Sequence, residues 1–199
     1  MLEIIFSIIV LLFSISLHET AHGFVAYKLG DPTAKEEGRL SLNPLKHLDL
    51  IGSLIFPLMT LILTLGKGPI FGWAKPVPIN PYNFRDQRWG QLKSAFAGPA
   101  INFLVAIISG LLIRFFLSTS VLLVPAAIIG LINMTLAIFN LVPIPPLDGS
   151  HILFSFFPKL KAESFFRNYS FILLFLFIFF GSNFIGPLVS RTFYFIAGF

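Results

Sequence analysis

The sequence contains no cysteine, and only 12% of its 199 residues are charged. Without cysteine there is neither a disulfide framework nor a thiolate metal site, so any transition metal has to be held by histidine and carboxylate. So little charge, set against 56% hydrophobic residues and a mean hydropathy of +0.87, excludes an ordinary water-soluble surface. No charge occurs between Arg114 and Asp148, and none from residue 169 to 190. Each stretch is as long as the roughly 20 residues that a helix needs to cross hydrocarbon. The formal charge of +5 lies in short clusters between apolar segments, with no basic face or recognition module, so nucleic acid is not expected as a partner and the lipid bilayer is. The amino terminus has neither the basic flank nor the small-residue cleavage site of a signal peptide and carries Glu3, so it is expected to be retained.

What is present reads as an all-α polytopic membrane protein with about four to six membrane segments. It forms one domain over residues 1–199, with a core at about 2–157 and further membrane segments at 165–199. A first helix over residues 2–29 stops at Gly30-Asp31-Pro32. Residues 31–49 carry Lys35, Glu36, Glu37, Arg39 and Lys46 and read as a solvated loop. Residues 51–65 are apolar but short. Residues 66–81, rich in glycine and proline, have to be extended or turning, which is tolerated at membrane depth only against protein or a wet cavity. Residues 94–113, 121–142 and 169–190 supply three more spans, and 152–157 is a short apolar segment.

Lysine and arginine favour the cytoplasmic side. They cluster at Lys28, Lys35, Arg39 and Lys46, at Lys75, Arg85, Arg88 and Lys93, and at Lys159, Lys161 and Arg167, whereas the opposing loop over residues 114–120 has one charge. With both flanks of residues 51–93 cytoplasmic, 51–81 dips in and returns, a re-entrant insertion between the first span and the next.

His18-Glu19-Thr20-Ala21-His22 is an HExxH pattern, and on a helix its two histidines lie one turn apart on one face, within reach of one zinc ion. Glu19 is placed to take a proton from water on that ion and later to protonate a leaving amine, so the chemistry implied is peptide hydrolysis. The pattern sits inside an apolar span, where each ionisable residue costs roughly 2.5 to 3.5 kcal/mol and usually marks function. A catalytic zinc needs a third protein ligand. Glu36 and Glu37 are the nearest carboxylates but belong to a charged run. Asp148, just past a span returning to the cytoplasmic end, is the better candidate, with capping of a helix near Gly149 as its alternative role. His151, three residues further on, could support Asp148 by hydrogen bonding or replace it as a ligand. His47 reads as a solvated side chain, and Asn102 and Asn133 as contacts between helices. A zinc transporter or a non-hydrolytic metal-binding membrane protein is the rival reading, against which Glu19 and the clustering of acids and histidines at one end both argue.

HExxH in the first span, Ala97-Gly98-Pro99-Ala100-Ile101-Asn102 in a later one, and the run from Asn140 through Pro143 and Pro145 to Asp148-Gly149 together resemble the site-2 protease family of intramembrane zinc metalloproteases. The resemblance covers residues 17–149. It implies one zinc ion bound by His18, His22 and Asp148, Glu19 as the acid/base, and a substrate-positioning role for Asn140. It further implies a transmembrane protein substrate cut in or near the bilayer on the cytoplasmic side, as in regulated intramembrane proteolysis, and a multi-pass location in the plasma membrane of a prokaryotic cell. Residues 38–44 and 72–80 look like those of compact family members, with no room for a PDZ or CBS domain. A helical substrate hides its scissile carbonyls in its own hydrogen bonds, so it has to be unwound and held extended. Residues 76–80 and the stretch Pro143, Pro145, Pro146 are the candidate guides, by strand addition. The oligomeric state is not legible.

The charge pattern predicts that cysteines introduced at Lys46, Arg88 and Lys161 are all labelled from the cytoplasmic side by an impermeant thiol reagent; labelling of position 88 from the opposite side removes the re-entrant assignment.

Overall fold

The computed structural model describes residues 2–63, 65, 74–117, 121–158 and 163–199. The expectations for Gly66 to Trp73, for the tip of the loop at 118–120, and for Lys159 and Lys161 lie outside the described residues.

The chain opens with α1 (Leu2–Lys28), an apolar run with no proline. It ends in a Schellman arrangement, in which Gly30, at φ 115°, lets Gly30 N–H reach Tyr27 O and Asp31 N–H reach Ala26 O at 3.2 and 3.0 Å. Short elements follow, namely α2 (Thr33–Glu36), a 3-10 turn at Pro44–His47, a π-helical stretch at Leu50–Ile55 and α3 (Phe56–Leu63). Residues 74–80 have no regular structure. Asp86 caps the next helix, α4 (Gln87–Leu112), by accepting from Trp89 N–H. Then come α5 (Leu123–Asn140), α6 (Asp148–Phe156), α7 (Glu163–Asn168) and α8 (Ser170–Ala197). No strand occurs among the described residues.

Among the described residues, three helices are long and apolar enough to cross a membrane, at Leu2–Lys28, Gln87–Phe116 and Leu123–Asn140. α8 is a fourth if its two halves, which meet at 63°, form one span. The continuous span expected over 169–190 is therefore bent; Pro187 in its second half removes one hydrogen bond of the helical ladder. α4 begins seven residues before the span expected from residue 94, because Asp86 caps it there.

α1, α4 and α5 pack on one another as the centre of the bundle. The second half of α8 returns onto α4 and α5, where Ala106, Ile113, Met134, Val189, Phe193 and Ala197 form the apolar core. Gly130 makes this possible, since a Cβ there would lie 2.1 Å from the Phe193 ring. Small residues allow such close approach in lipid, where burial of apolar surface drives little. Arg88, in the first turn of α4, donates to Ser155 O and Phe156 O at 2.7 and 3.1 Å and so secures the end of α6.

The solvated-loop reading of residues 31–49 holds for Lys35, Glu36 and Glu37, which are exposed, and fails for Asp31, Arg39 and His47, which are buried. Asp31 is the tie between the end of α1 and the approach to α4. Its carboxylate accepts from Thr33 N–H and Oγ1, Asn80 N–H and Asn83 Nδ2 at 3.2, 2.5, 2.8 and 2.8 Å. Burial alone would raise its pKa, but the hydrogen bonds from Thr33, Asn83 and Asn80 hold it below the usual carboxylate range. The stabilisation is thus fully present above the unfolded value of about 4 and is lost as pH falls through the lower folded value. Asp31→Asn is expected to lower the thermal midpoint in detergent at neutral pH, with the gap to wild type narrowing on acidification; a gap of constant size removes this assignment.

Candidate metal centre

His18 and His22 lie one turn apart on α1, both buried, with their Nε2 atoms 2.9 Å apart. Asp148 reaches them from the start of α6, with Oδ2 3.0 Å from His18 Nε2 and Oδ1 3.3 Å from His22 Nε2. The three ligand atoms lie within 4.8 Å of one another. Asp148 is the first helical residue of α6; Leu147 occupies the capping position, and no side chain caps that end. The capping alternative for Asp148 is therefore not what the chain adopts. Gly149 allows the placement, because a Cβ there would lie 2.2 Å from Leu141 O at the end of α5.

The far sides of the two rings determine what the near sides can do. His22 Nδ1 donates to Ser94 O at 2.7 Å, an acceptor that cannot be reversed. His18 Nδ1 faces Asn102 Oδ1 at 2.6 Å. Asn102 Nδ2 is committed to Asn133 Oδ1 at 2.7 Å, and Asn133 Nδ2 to Ser14 Oγ and Ile129 O at 2.8 and 2.9 Å. This relay leaves Asn102 only its oxygen for His18, so His18 also carries its proton on Nδ1. Both Nε2 atoms then present lone pairs to the same space, beside a carboxylate. That is the donor chemistry of a catalytic zinc site, two neutral imidazoles and one carboxylate with a position left open. The space itself is kept by Gly98 of α4, where a Cβ would stand 2.4 and 2.5 Å from the two Nε2 atoms, close to a zinc–nitrogen bond length of about 2.1 Å. The residues present fit the ion.

The frame is one of matching spacings. Ser14, His18 and His22 recur every four residues on α1, and Ser94, Gly98 and Asn102 recur every four on α4, so each set forms one stripe. The helices run antiparallel, which pairs His22 with Ser94 and Ser14 with Asn102.

Glu19 is rotated about 100° from His18, and its Oε2 accepts from Val77 N–H at 2.8 Å. A cavity of about 320 Å³ is lined by the two histidines, Glu19 and Asp148, with Val77 and Phe84 among its apolar walls. Asn140, at the end of α5, also lines it, and its Nδ2 donates to Leu136 O at 2.9 Å. Of the prolines after α5, Pro146 lines the cavity, whereas Pro143 and Pro145 do not. His151 lies at the cavity on an exposed position, with Nδ1 3.1 Å from Gln91 Nε2. Glu36 and Glu37 are exposed at α2 and take no part. His47 is buried against Ser41 O at 2.7 Å. Sequence reasoning placed Asn102 and Asn133 between helices but did not identify their control of His18. Ser94 acts through a backbone carbonyl, which no sequence pattern reveals.

Zinc content tests this frame separately from any activity. Asp148→Asn is expected to lose stoichiometric zinc, and Asn102→Leu to weaken zinc binding by roughly 10–100-fold as the partner behind a ligand. Gly98→Ala should exclude the ion with helical content retained, whereas the pair Glu36→Gln and Glu37→Gln should leave zinc unchanged. Metal analysis with chelator competition decides; full zinc in Asp148→Asn removes the assignment.

A family model described as peptidase family M50 matches residues 116–181. The protein named "Putative zinc metalloprotease YwhC" of Bacillus subtilis (strain 168) is 40% identical over 155 residues, 73% of this chain and 66% of that protein. Two proteins named "Putative zinc metalloprotease Rip2" are also similar. That of Mycolicibacterium smegmatis is 35% identical over 69% of this chain and 52% of its own length, and that of Mycobacterium tuberculosis (strain ATCC 35801 / TMC 107 / Erdman) is 30% identical over 77% of this chain and 56% of its own. The chain thus spans between half and two thirds of the length of these relatives. No solved structure matches it significantly. Relatives this similar across most of its length, together with the matching family model, establish that the chain belongs to the M50 family of peptidases, the site-2 proteases.

Proposed function

We propose that this chain is an intramembrane zinc endopeptidase, which hydrolyses peptide bonds in or near transmembrane segments of membrane proteins. The observation that carries the reading is the meeting of His18, His22 and Asp148 beside Glu19 in one cavity of a bundle made from membrane-length helices. The zinc metalloprotease names of its relatives support it.

Zinc, when bound by His18, His22 and Asp148, supplies a Lewis acid and makes a water molecule acidic enough to lose its proton near neutral pH. Glu19 is the group that takes this proton, and it returns it to the leaving amine nitrogen as the peptide bond breaks. The Val77 N–H bond to Oε2 keeps its carboxylate on the cavity side of α1. Asn102 and Ser94 O hold the imidazoles so that neither rotates as charge changes beside them. Val77, Phe84 and Pro146 line the space an unwound apolar segment would occupy.

Residues 74–80 suit the role of guide for that segment. Their N–H groups at Lys75, Val77 and Asn80 go to His47 O, Glu19 and Asp31 within the protein, and Pro76 and Pro78 have none. What the stretch can offer a substrate strand is chiefly carbonyl acceptors. Asn140 at the cavity, and the turn containing Pro143 and Pro145, would bound the substrate on the other side, with His151 at the exposed margin. The lysine and arginine distribution supports a cytoplasmic site, and the bacterial sources of the relatives support a prokaryotic plasma membrane; the reading takes residues 1–199 as a single protease domain serving regulated proteolysis.

Glu19→Gln separates binding from chemistry. It preserves size and removes the base, so the variant should keep near-normal zinc, still capture a single-span substrate, and cleave it about 10²- to 10⁴-fold more slowly. Cleavage of a panel of single-span proteins by purified chain in liposomes provides the measurement. Wild-type rates in this variant remove Glu19 as the base; zinc-loaded wild type that moves zinc across the liposome and cuts nothing makes the chain a transporter.

A further inference from the structure

We propose that Arg39 is a positioning residue that acts on the site through residues 74–77, setting where Val77 N–H holds the Glu19 carboxylate; this rests on the reading of Glu19 as the base.

Arg39 is 8% exposed, yet among the described residues no carboxylate pairs with it. Its guanidinium is spent on backbone carbonyls. Nη1 donates to Lys46 O, and Nη2 donates to Lys75 O at 2.8 Å and Pro76 O at 3.2 Å. Its Nε has no acceptor among the described residues. Burying a cation without a counter-charge, with one N–H unsatisfied, is destabilising, and an apolar side chain would fill the same space at lower cost. What an arginine contributes instead is geometry, because its planar fork fixes several acceptors relative to one another.

Those acceptors belong to two segments far apart in sequence. Lys75 N–H donates to His47 O at 2.9 Å, so residues 46–47 and 75–76 are already joined, and Arg39 grips both. The first of these segments is anchored to α1, since Thr20 Oγ1 donates to Ser41 O at 2.9 Å and His47 Nε2 approaches the same oxygen at 2.7 Å. The second has little to hold it by itself, because Pro76 and Pro78 flank Val77 and bring no N–H.

Val77 is the point of delivery. Its side chain is 6% exposed and fills a notch at Gly23, one turn beyond Glu19, where a Cβ would lie 2.8 Å from Val77 and 2.7 Å from Leu40. Leu40, the neighbour of Arg39, thus shares the notch with Val77. Val77 N–H meets Glu19 Oε2 at 2.8 Å. Arg39, Leu40, Val77 and Glu19 form a continuous chain of contacts from the loop to the carboxylate. None of it passes through His18, His22 or Asp148, so loosening it should leave metal binding intact and displace the base alone.

The test is a double-mutant cycle on purified full chain in liposomes, with a single-span substrate cleaved by wild type. Arg39→Gln should keep zinc at wild-type stoichiometry and lower kcat by about 10- to 100-fold, as misplacement of a reacting group by about 1 Å does, with KM changed less than about threefold. In the Glu19→Gln background the same substitution should lower the residual rate by less than about threefold, because the group it positions is already inactive. Arg39→Lys, which keeps the charge but cannot span three carbonyls, should behave like Arg39→Gln. An equal fold-loss in both backgrounds, or loss of zinc, makes Arg39 a structural residue and overturns the proposal. Hydrogen exchange provides the second readout: Arg39→Gln should speed exchange of residues 74–80 with α4 unchanged, and unchanged exchange there overturns the proposal whatever the kinetics. Zinc-loaded wild type that cuts nothing overturns the protease reading instead, and the exchange measurement then still decides whether Arg39 holds Val77.

Discussion

Two imidazole nitrogens face each other at 2.9 Å beside a carboxylate, and as neutral rings, the form that binds a metal, His18 and His22 place their protons toward Asn102 and Ser94 on the other side. Lone pairs and a carboxylate converging in a medium of low dielectric suit a cation, and much of the bundle serves to hold the three groups in that relation. α4 contributes one stripe, in which Ser94 accepts from one ring, Gly98 stands back from both, and Asn102 accepts from the other. α5 contributes Asn133, which orients Asn102, and through Gly149 the approach of α6 that brings Asp148 across. A shift of any of these helices by a fraction of a turn would break the arrangement. That gives close packing at Gly98 and Gly149 a purpose beyond stability.

Polar work is divided by depth. Within the helices it is carried by neutral groups that satisfy one another, namely Ser14, Asn102 and Asn133 around His18, and Ser109, whose hydroxyl donates to Ala126 O at 2.5 Å. Amides and hydroxyls can be buried between spans at modest cost, provided each finds a partner. Among the described residues, Asp31 and Arg39 are the buried charged groups outside the candidate metal centre, and they lie beyond the end of α1. There they organise backbone that no helix organises, Asp31 by collecting donors from residues 33, 80 and 83, and Arg39 by supplying donors to residues 46, 75 and 76.

This division explains what was legible beforehand. Long uncharged runs and a four-residue histidine spacing are local signals, and they gave the helices, the two imidazoles and the neighbouring glutamate. Asp148 required topology, since it is 126 residues beyond His22 in number (148 − 22) but on the same end of the bundle. The loop at 31–49 misled because its composition is that of a solvated segment, while Asp31 and Arg39 find part of their partners at residues 75–83 and His47 meets Ser41 O. Composition does not report on partners so distant. Of the proline-rich turn after α5, Pro146 lines the cavity and Pro143 and Pro145 do not, a distinction the sequence does not carry because the orientation of a turn depends on the helices it joins. The bend in α8 was hidden because the first half of its run is as apolar as any span, and its second half is drawn back by Phe193 seating at Gly130, a contact between segments 63 residues apart (193 − 130).

Cleaving a peptide within a helical bundle sets two incompatible demands on the fold. The metal needs ligands of fixed separation, which helices supply well, because a four-residue repeat on a rigid rod tolerates little drift. The substrate needs an extended neighbour, which helices cannot supply, since their backbone groups are already paired. On the proposed function, α1, α4 and α6 would meet the first demand and residues 74–80 the second, a stretch with two prolines that would wander if left alone. Glu19 belongs to both parts, rigid in its backbone through α1 and fixed in its carboxylate through Val77. On that reading the candidate metal ligands and Glu19 answer to different supports, helix packing for the first and the Arg39 and Asp31 ties for the second. A perturbation confined to the loops at the end of α1 would reach the base before it reached the metal.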